Sequence, residues 1–358
     1  MGSSCFSKLT PQNQNQNQPD WSELPNDVLT LISEQIHSEL HMIHFRSVCS
    51  NWRSYAIPFN NIFSVHPSFA YLSKLKILLV KPQQQQDQTL VHRPWLMPIV
   101  QSSNGRTKLF HPIFSFENHK TLDFQKLSFL DMGTIFKGDC TFTFILTAPP
   151  DSVSLIKAVT VTCHGNQPLV LGINAYYHRL MLKCGNENWK VFPYMSMKTG
   201  DICIFKRRLY AVYKTGRTIM VRPDGSSFQV MAKPFVCGQY LKRLVESQGD
   251  LLLADVCKSS GRVDLFKLNE KEKKWVKLTS LGDNRVLFLG YTWSFSASTF
   301  DLCVAKGNCV IFVKIISDSS KPDDVYVFYL DEGQLSPIFD YPEYSSLFCE
   351  PPEWIFKS

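Results

Sequence analysis

Two hydrophobic periodicities divide this chain. Over Trp21 to Pro58 the apolar positions recur at helical spacing, and from about residue 70 onward they alternate with polar ones. Within the helical stretch, Val28, Leu29, Ile32 and Ile36 predict a first helix. Pro25 suits its first position, where a missing N–H leaves no bond unmade. Asp27 lies in the first turn, at the positive end of the helix dipole. Leu40 and Ile43 mark a second short helix, capped by Ser38. Val48, Cys49, Trp52, Tyr55 and Ala56 mark a third, stopped ahead of Pro58 because proline disfavours the α region in the residue before it.

The later stretch reads as strands. Thr141 to Ile145, Ala158 to Thr162 and Asp324 to Tyr329 alternate with period two. Pro150-Asp151, Gly185-Asn186, Pro223-Asp224-Gly225 and Asp331-Glu332-Gly333 supply turn chemistry between such runs. The Gln-rich insert Gln83 to Gln88 falls between apolar runs and reads as a surface loop. Trp189-Lys190-Val191-Phe192 and Trp275-Val276-Lys277-Leu278 are 86 residues apart (275 − 189), twice 43, with Phe228-Gln229-Val230 near the midpoint. A period near 40 to 50 residues with short strands is what propeller blades produce, which favours a β-propeller over a β-sandwich. The fold expected is therefore α+β and multidomain, a small three-helix unit followed by a predominantly β domain.

Three helices in under forty residues bury little apolar surface alone, so the small unit either packs on the rest of the chain or presents an apolar face to a partner. The chain has 358 residues, enough for that unit and one larger domain. Its net charge of +7 is spread thinly, with small knots at Lys206 to Arg208 and Lys271 to Lys274. Nucleic-acid binding calls for a clustered basic face, so none is expected. Eleven cysteines, an odd number with no C-x-x-C pair, read as mostly buried free thiols in a reducing compartment, cytoplasmic or nuclear. No run approaches the length of a membrane helix, so no membrane partner is expected. The start of the chain, Met1 to Phe6, brushes a myristoylation signal but has Phe6 where Ser or Thr is wanted, and reads as unmodified.

Leu24-Pro25-Asn26-Asp27, the spaced Leu29 and Ile32, and then Phe45-Arg46-Ser47-Val48-Cys49 with Trp52-Arg53 resemble the F-box. The match departs where an acidic residue often precedes the Arg-x-Val-Cys and where Lys often follows the Cys. The resemblance implies docking onto a Skp-type adaptor and, through it, a cullin ligase. The adaptor-binding residues it implies are Leu24, Pro25, Leu29, Ile32, Leu40, Val48, Cys49 and Trp52. Farther on, Leu281-Gly282-Asp283, Leu287 to Gly290, Ser294 to Ala297, Gly307-Asn308-Cys309 and Pro351-Pro352-Glu353-Trp354 resemble plant F-box proteins of the KIB/SKIP-like family. Those carry a kelch-related C-terminal domain of unknown function, number 295. The organisation expected is a disordered tail over 1–20, an F-box over 21–58, a linker over 59–69 and a propeller domain over 70–358.

Chemistry-bearing constellations are thin. His37, His41 and His44 share a helical face only if Ser38 and Glu39 leave the helix unbroken, and no Cys or carboxylate set completes a zinc pattern. Cys163 and His164 are adjacent, so in a strand they point to opposite faces and cannot act as nucleophile and base. No catalytic residue, metal or cofactor is expected. The function read from the chain is that of a substrate-receptor subunit, holding an unidentified protein substrate on the propeller. The alternatives are an F-box regulator outside a ligase and a propeller enzyme with a helical extension. Loops at Lys183 to Asn188, Lys214 to Arg217, Lys258 to Arg262 and Ser317 to Asp324 are the candidates for substrate contact. Lys214, Arg217, Lys258 and Arg262 would form a basic rim if their loops project together, against the plainer reading that they are solvated turn residues.

Overall fold

The computed structural model describes residues 21–35, 45, 48–55, 72–82, 93–101, 107–110, 117–118, 127–138, 155–162, 168–175, 177–185, 187–192, 198–235, 241–257, 260–290, 292–313 and 325–349. The chain divides into two compact units, residues 1–59 and 60–358.

In the first unit a short 3-10 turn over Trp21–Glu23 precedes helix α1, Asn26–Gln35, and a second helix, α2, spans Ser50–Tyr55. Pro25 stands just ahead of α1 rather than inside it, and its carbonyl accepts the Leu29 N–H at 3.1 Å. Leu29 and Phe45 are buried, and Leu24, Ile32, Trp52 and Tyr55 pack around them. The Phe45 and Trp52 rings lie 4.8 Å apart. The indole Nε1 of Trp52 donates to the Trp21 carbonyl at 2.8 Å, tying α2 to the segment before α1. The second helix expected around Leu40 lies outside the described residues, as do His37, His41 and His44.

The second unit is a β-propeller of five blades. Blade 1 comprises β1 (Leu72–Pro82), β2 (Trp95–Gln101), β3 (Thr107–Phe110), β4 (Glu117–Asn118) and β5 (Leu127–Gly138). Blade 2 comprises β6 (Leu155–Thr162), β7 (Pro168–Asn174), β8 (Leu180–Cys184) and β9 (Lys190–Val191). Blade 3 comprises β10 (Thr199–Phe205), β11 (Arg208–Tyr213), β12 (Thr218–Val221) and β13 (Phe228–Ala232). Blade 4 comprises β14 (Leu241–Ser247), β15 (Asp250–Val256), β16 (Val263–Asn269) and β17 (Lys274–Leu278). Blade 5 comprises β18 (Arg285–Leu289), β19 (Ser294–Ser298), β20 (Cys309–Val313), β21 (Val325–Tyr329) and β22 (Gln334–Pro337).

Blades 2, 3 and 4 are plain antiparallel meanders. Blade 5 departs from this, because β18 pairs antiparallel with β19 but parallel with β20. A helical turn, α3 (Thr299–Leu302), makes the crossover between β19 and β20. Ser298 caps it, its hydroxyl accepting the Asp301 N–H at 3.0 Å. Blades 1 and 2 form one continuous sheet, joined at the Phe136–Ala158 pair of β5 and β6.

The alternation of residues within each strand explains why blades stack into a ring. Leu251 and Leu253 of β15 pack toward blade 3, against Tyr210 and Val212. Leu252 and Ala254 of the same strand pack toward blade 5, against Leu287 and Val310. Each central strand buries both faces, one against each neighbouring blade, so its sequence reads as a nearly unbroken apolar run. Blade 5 and blade 1 meet through Val286, Phe288 and Ile311 on one side and Ile77, Leu79 and Leu96 on the other.

The sequence repeat proves to mark the blade edges. Phe228 and Trp275 lie in the outermost strands of blades 3 and 4, and Trp189 directly precedes the outermost strand of blade 2. The turns at Pro223 to Gly225 and Asp331 to Gly333 fall between paired strands as expected. The strand expected at Thr141 to Ile145 lies outside the described residues. The expectation of mostly buried thiols needs correcting, since Cys309 is buried but Cys303 and Cys349 are exposed. Among the described residues no helix is long and apolar enough to cross a membrane.

Candidate functional site

One end of the propeller gathers two of the loops of interest, and the Ser317 to Asp324 loop lies outside the described residues. Thr199 at the start of β10 pairs with Tyr213 at the end of β11, and Leu241 at the start of β14 pairs with Val256 at the end of β15. The β11–β12 and β15–β16 connections therefore emerge at the end where the inner strands begin. Lys214, Arg217 and Arg262 sit on these two loops, the first and last of them exposed. Lys258 lies outside the described residues. The Lys183 to Asn188 segment connects β8 to β9, which puts it at the opposite end of its blade.

The loops are anchored rather than free-standing. Trp275 of β17 donates from Nε1 to the Gly216 carbonyl at 3.2 Å and to the Thr218 hydroxyl at 3.0 Å. Gly216 takes φ +81°, and a β-carbon there would collide with the Phe235 ring, so the tight turn at the foot of the loop requires glycine. The Phe235 N–H in turn donates to the Thr215 carbonyl at 3.1 Å.

Beneath these loops lies a set of buried charges. Lys157 Nζ of β6 is 2.8 Å from Asp201 Oδ1 of β10. The other Asp201 oxygen accepts the backbone N–H of Leu244 in β14 at 2.9 Å. Lys242 Nζ is 2.7 Å from Asp255 Oδ1 within blade 4. The Arg243 guanidinium donates from Nε to the Gly290 carbonyl of blade 5 at 3.3 Å. Burial weakens that guanidinium's hold on its proton, and the Asp201 charge opposes the effect. The arrangement links blades 2, 3, 4 and 5 through the inner strands and holds the loop-bearing end rigid.

A second feature is a groove of roughly 450 Å³ between the outer strands of blades 4 and 5. Its floor is apolar, and on the opposite face of the blade 4 sheet Arg262 and Lys277 both approach one Asp264 oxygen, at 3.3 and 2.8 Å. Burial pushes the Asp264 carboxyl up, but Lys277 and Arg262 outweigh it and hold it below the usual carboxylate range. Sequence reasoning reached Arg262 but not Lys277, because nothing in the spacing shows that β16 and β17 place the two on one carboxylate.

In the first unit, the residues expected at the adaptor dock divide by exposure. Pro25 and Val48 are exposed, Leu24, Ile32, Cys49 and Trp52 are half-buried, and Leu29 is fully buried. Leu29 thus packs the helices together, and Leu40 lies outside the described residues. Leu31 and Trp21, which the sequence pattern passed over, are 59% and 61% exposed. Among the described residues no group of three His, Cys, Asp or Glu side chains converges as a metal site would. Cys163 and His164 lie outside the described residues.

Residues 69–329 match the family described as the KIB1-4 beta-propeller. The chain belongs to that family. Relatives extend the likeness over nearly the full length. The Arabidopsis thaliana F-box protein At2g17036 is 29% identical, over 95% of this chain and 95% of its own. The Arabidopsis thaliana F-box protein SKIP23 is also 29% identical, over 94% of this chain and 95% of its own. Among solved structures, a Synechocystis apocarotenoid oxygenase covers 73% of this chain and 77% of its own at 11% identity, with a TM-score of 0.30. Membership in the KIB1-4 beta-propeller family agrees with the propeller that the second unit builds.

Proposed function

We propose that this chain is the substrate-receptor subunit of a Skp–cullin–F-box ubiquitin ligase. In this reading residues 21–58 are a three-helix F-box that docks a Skp-type adaptor, which bridges to the cullin. Residues 1–20 are a tail, 59–69 a linker, and 70–358 the kelch-related propeller of the domain-295 type, which holds a protein substrate. The observation that carries the reading is the end-to-end alignment with two proteins named as F-box proteins, spanning both units of the chain.

The geometry supports a division of labour. On the first unit, Val48, Leu31 and Trp21 offer exposed apolar surface around a small packed centre. A unit of this size gains stability when a partner covers such a face. On the propeller, the inner strands support loops carrying Lys214, Arg217 and Arg262, and these cations, together with Lys258 outside the described residues, would favour an acidic or phosphorylated substrate segment. The receptor carries out no bond chemistry itself. Its contribution is proximity, raising the local concentration of substrate beside a charged conjugating enzyme. The place of action is the cytoplasm or nucleus.

The test is co-purification of the full chain with a Skp-type adaptor and a cullin, followed by a ubiquitin-transfer assay with the assembled complex. Formation of the complex and ubiquitin transfer support the reading. A full chain that stays free of adaptor at micromolar concentrations overturns it.

A further inference from the structure

We propose that residues 338–348 form a strap that closes the propeller ring, seated in the joint of the last blade with the first and able to leave it as one piece while the other blades stay folded. Every other joint follows the chain from one blade to the next, whereas blades 5 and 1 meet across the ring. The strap belongs to no blade sheet.

Its construction makes it depend on the joint. After Pro337 ends β22, the chain runs through a 3-10 turn (Ile338–Asp340), a helical turn α4 (Pro342–Ser345) and a second 3-10 turn (Ser346–Phe348). Single turns do not persist in water, where isolated helices shorter than about 12 residues are marginal. Packing holds these in shape. Ile338, Tyr344, Leu347 and Phe348 are buried in one core with Ile77, Leu79 and Leu96 of blade 1 and with Val286 and Phe288 of blade 5. The last turn lies against β2 of blade 1. The Phe348 ring in the same turn is 6.2 Å from the Phe288 ring of blade 5, so one short turn spans both sides.

Polar bonds tie the strap to both blades as well. Arg93, just ahead of β2, donates from Nη1 to the Pro342 carbonyl at 3.4 Å. On the other side the Tyr344 hydroxyl donates to the Lys306 carbonyl and accepts from the Cys309 thiol of β20 at 3.3 Å. Burial beneath the strap pushes that thiol up to about 12.

The remaining joints are fastened differently. Blades 1 and 2 share a main-chain pair, and Asp201 binds blades 2, 3 and 4 together. Lifting the strap breaks no blade ladder, and segments tied to the rest by few main-chain bonds are those that open below the global unfolding free energy. Because its turns unravel once they leave the core, the strap opens all at once.

The experiment times the labelling of Cys309 by a thiol reagent in the full chain, read by mass spectrometry, with exposed Cys303 as the internal standard. An Ala211→Cys variant, with its new thiol in the core shared by blades 2 and 3, reports global unfolding. At low urea Cys309 should react faster than Cys at 211 and with a weaker dependence on urea, since opening the strap exposes less surface than unfolding the domain. Leu347→Ala should quicken Cys309 labelling by about thirtyfold or more. Phe348→Leu, the milder change, should quicken it severalfold. Asp201→Ala weakens the other joints and should leave the low-urea rate at Cys309 unchanged. Cys309 and Cys at 211 reacting with one common urea dependence, or a Cys309 rate indifferent to both strap variants, overturns the proposal.

Discussion

Lys157 and Asp201 form an ion pair between blades 2 and 3, 2.8 Å apart, with side chains only 6% and 2% exposed. Because Asp201 also accepts the Leu244 N–H, one carboxylate fastens blade 2, blade 3 and blade 4. Removing one partner of such a pair strands the other charge away from water, at a cost of about 3–5 kcal/mol. Asp201→Ala should therefore lower the unfolding free energy of the full chain by about that amount. Lys157→Met combined with Asp201→Asn should recover most of it, since the amide still accepts from Leu244. Denaturant unfolding of the three proteins decides this, and an Asp201→Ala protein as stable as the wild type would refute it.

Trp275 ties blade 4 to the β11–β12 loop of blade 3 through its indole N–H. Trp275→Phe keeps most of the ring packing and removes the donor, for an expected loss of about 1 kcal/mol. Hydrogen exchange at Thr215 to Arg217 should quicken at the same time. Unchanged exchange there would show that the loop does not depend on the indole.

Gly261 should tolerate alanine poorly for two reasons, its left-handed backbone and its contact with Leu335. The backbone term alone is about 1–2 kcal/mol. Gly261→Ala/Leu335→Ala should relieve the collision but keep the backbone term, so the double variant should unfold at a higher temperature than Gly261→Ala. Equal melting temperatures for the two would place the whole cost in the backbone.

Leu24→Ala with Pro25→Ala should weaken adaptor binding by about thirtyfold or more, the cost of truncating an interface anchor by about 2 kcal/mol. The propeller transition in calorimetry should stay where it is, because the two changes lie in the first unit. A pull-down indistinguishable from wild type would remove Leu24 and Pro25 from the dock.

Much of the propeller was readable from the sequence for a definable reason. Trp189, Phe228 and Trp275 mark the outer edges of blades 2, 3 and 4 in turn, so over those three blades local chemistry repeats with the architecture. Blade 5 was not readable, because nothing local announces that β20 runs parallel to β18 after the α3 crossover. The buried charges escaped for a related reason. Lys157 within Leu155 to Val159, and Asp255 within Leu251 to Val256, look like ordinary outward-facing positions of an alternating strand. Only when neighbouring inner strands come together does each find its partner. Exposure within the first unit was equally hidden, since helical spacing groups Leu29 with Val28 and Ile32 and passes over Leu31, but does not show that Leu29 alone of these is fully buried.

The joint between blade 5 and blade 1 has a consequence for how the protein is made. Among the described residues that joint is made by side chains, the apolar packing and a Lys81–Asp301 ion pair at 3.3 Å, with no strand of one blade completing the sheet of the other. Leu96 leaves the ribosome 190 residues (286 − 96) before Val286, the partner that shields it. At the ordinary pace of about 5–20 residues per second, the apolar side of the first blade waits on the order of 10–40 s in water. During that interval the nascent ring is an open arc with a greasy lip, which is the form a chaperone would recognise and the form in which two unfinished chains would stick to one another.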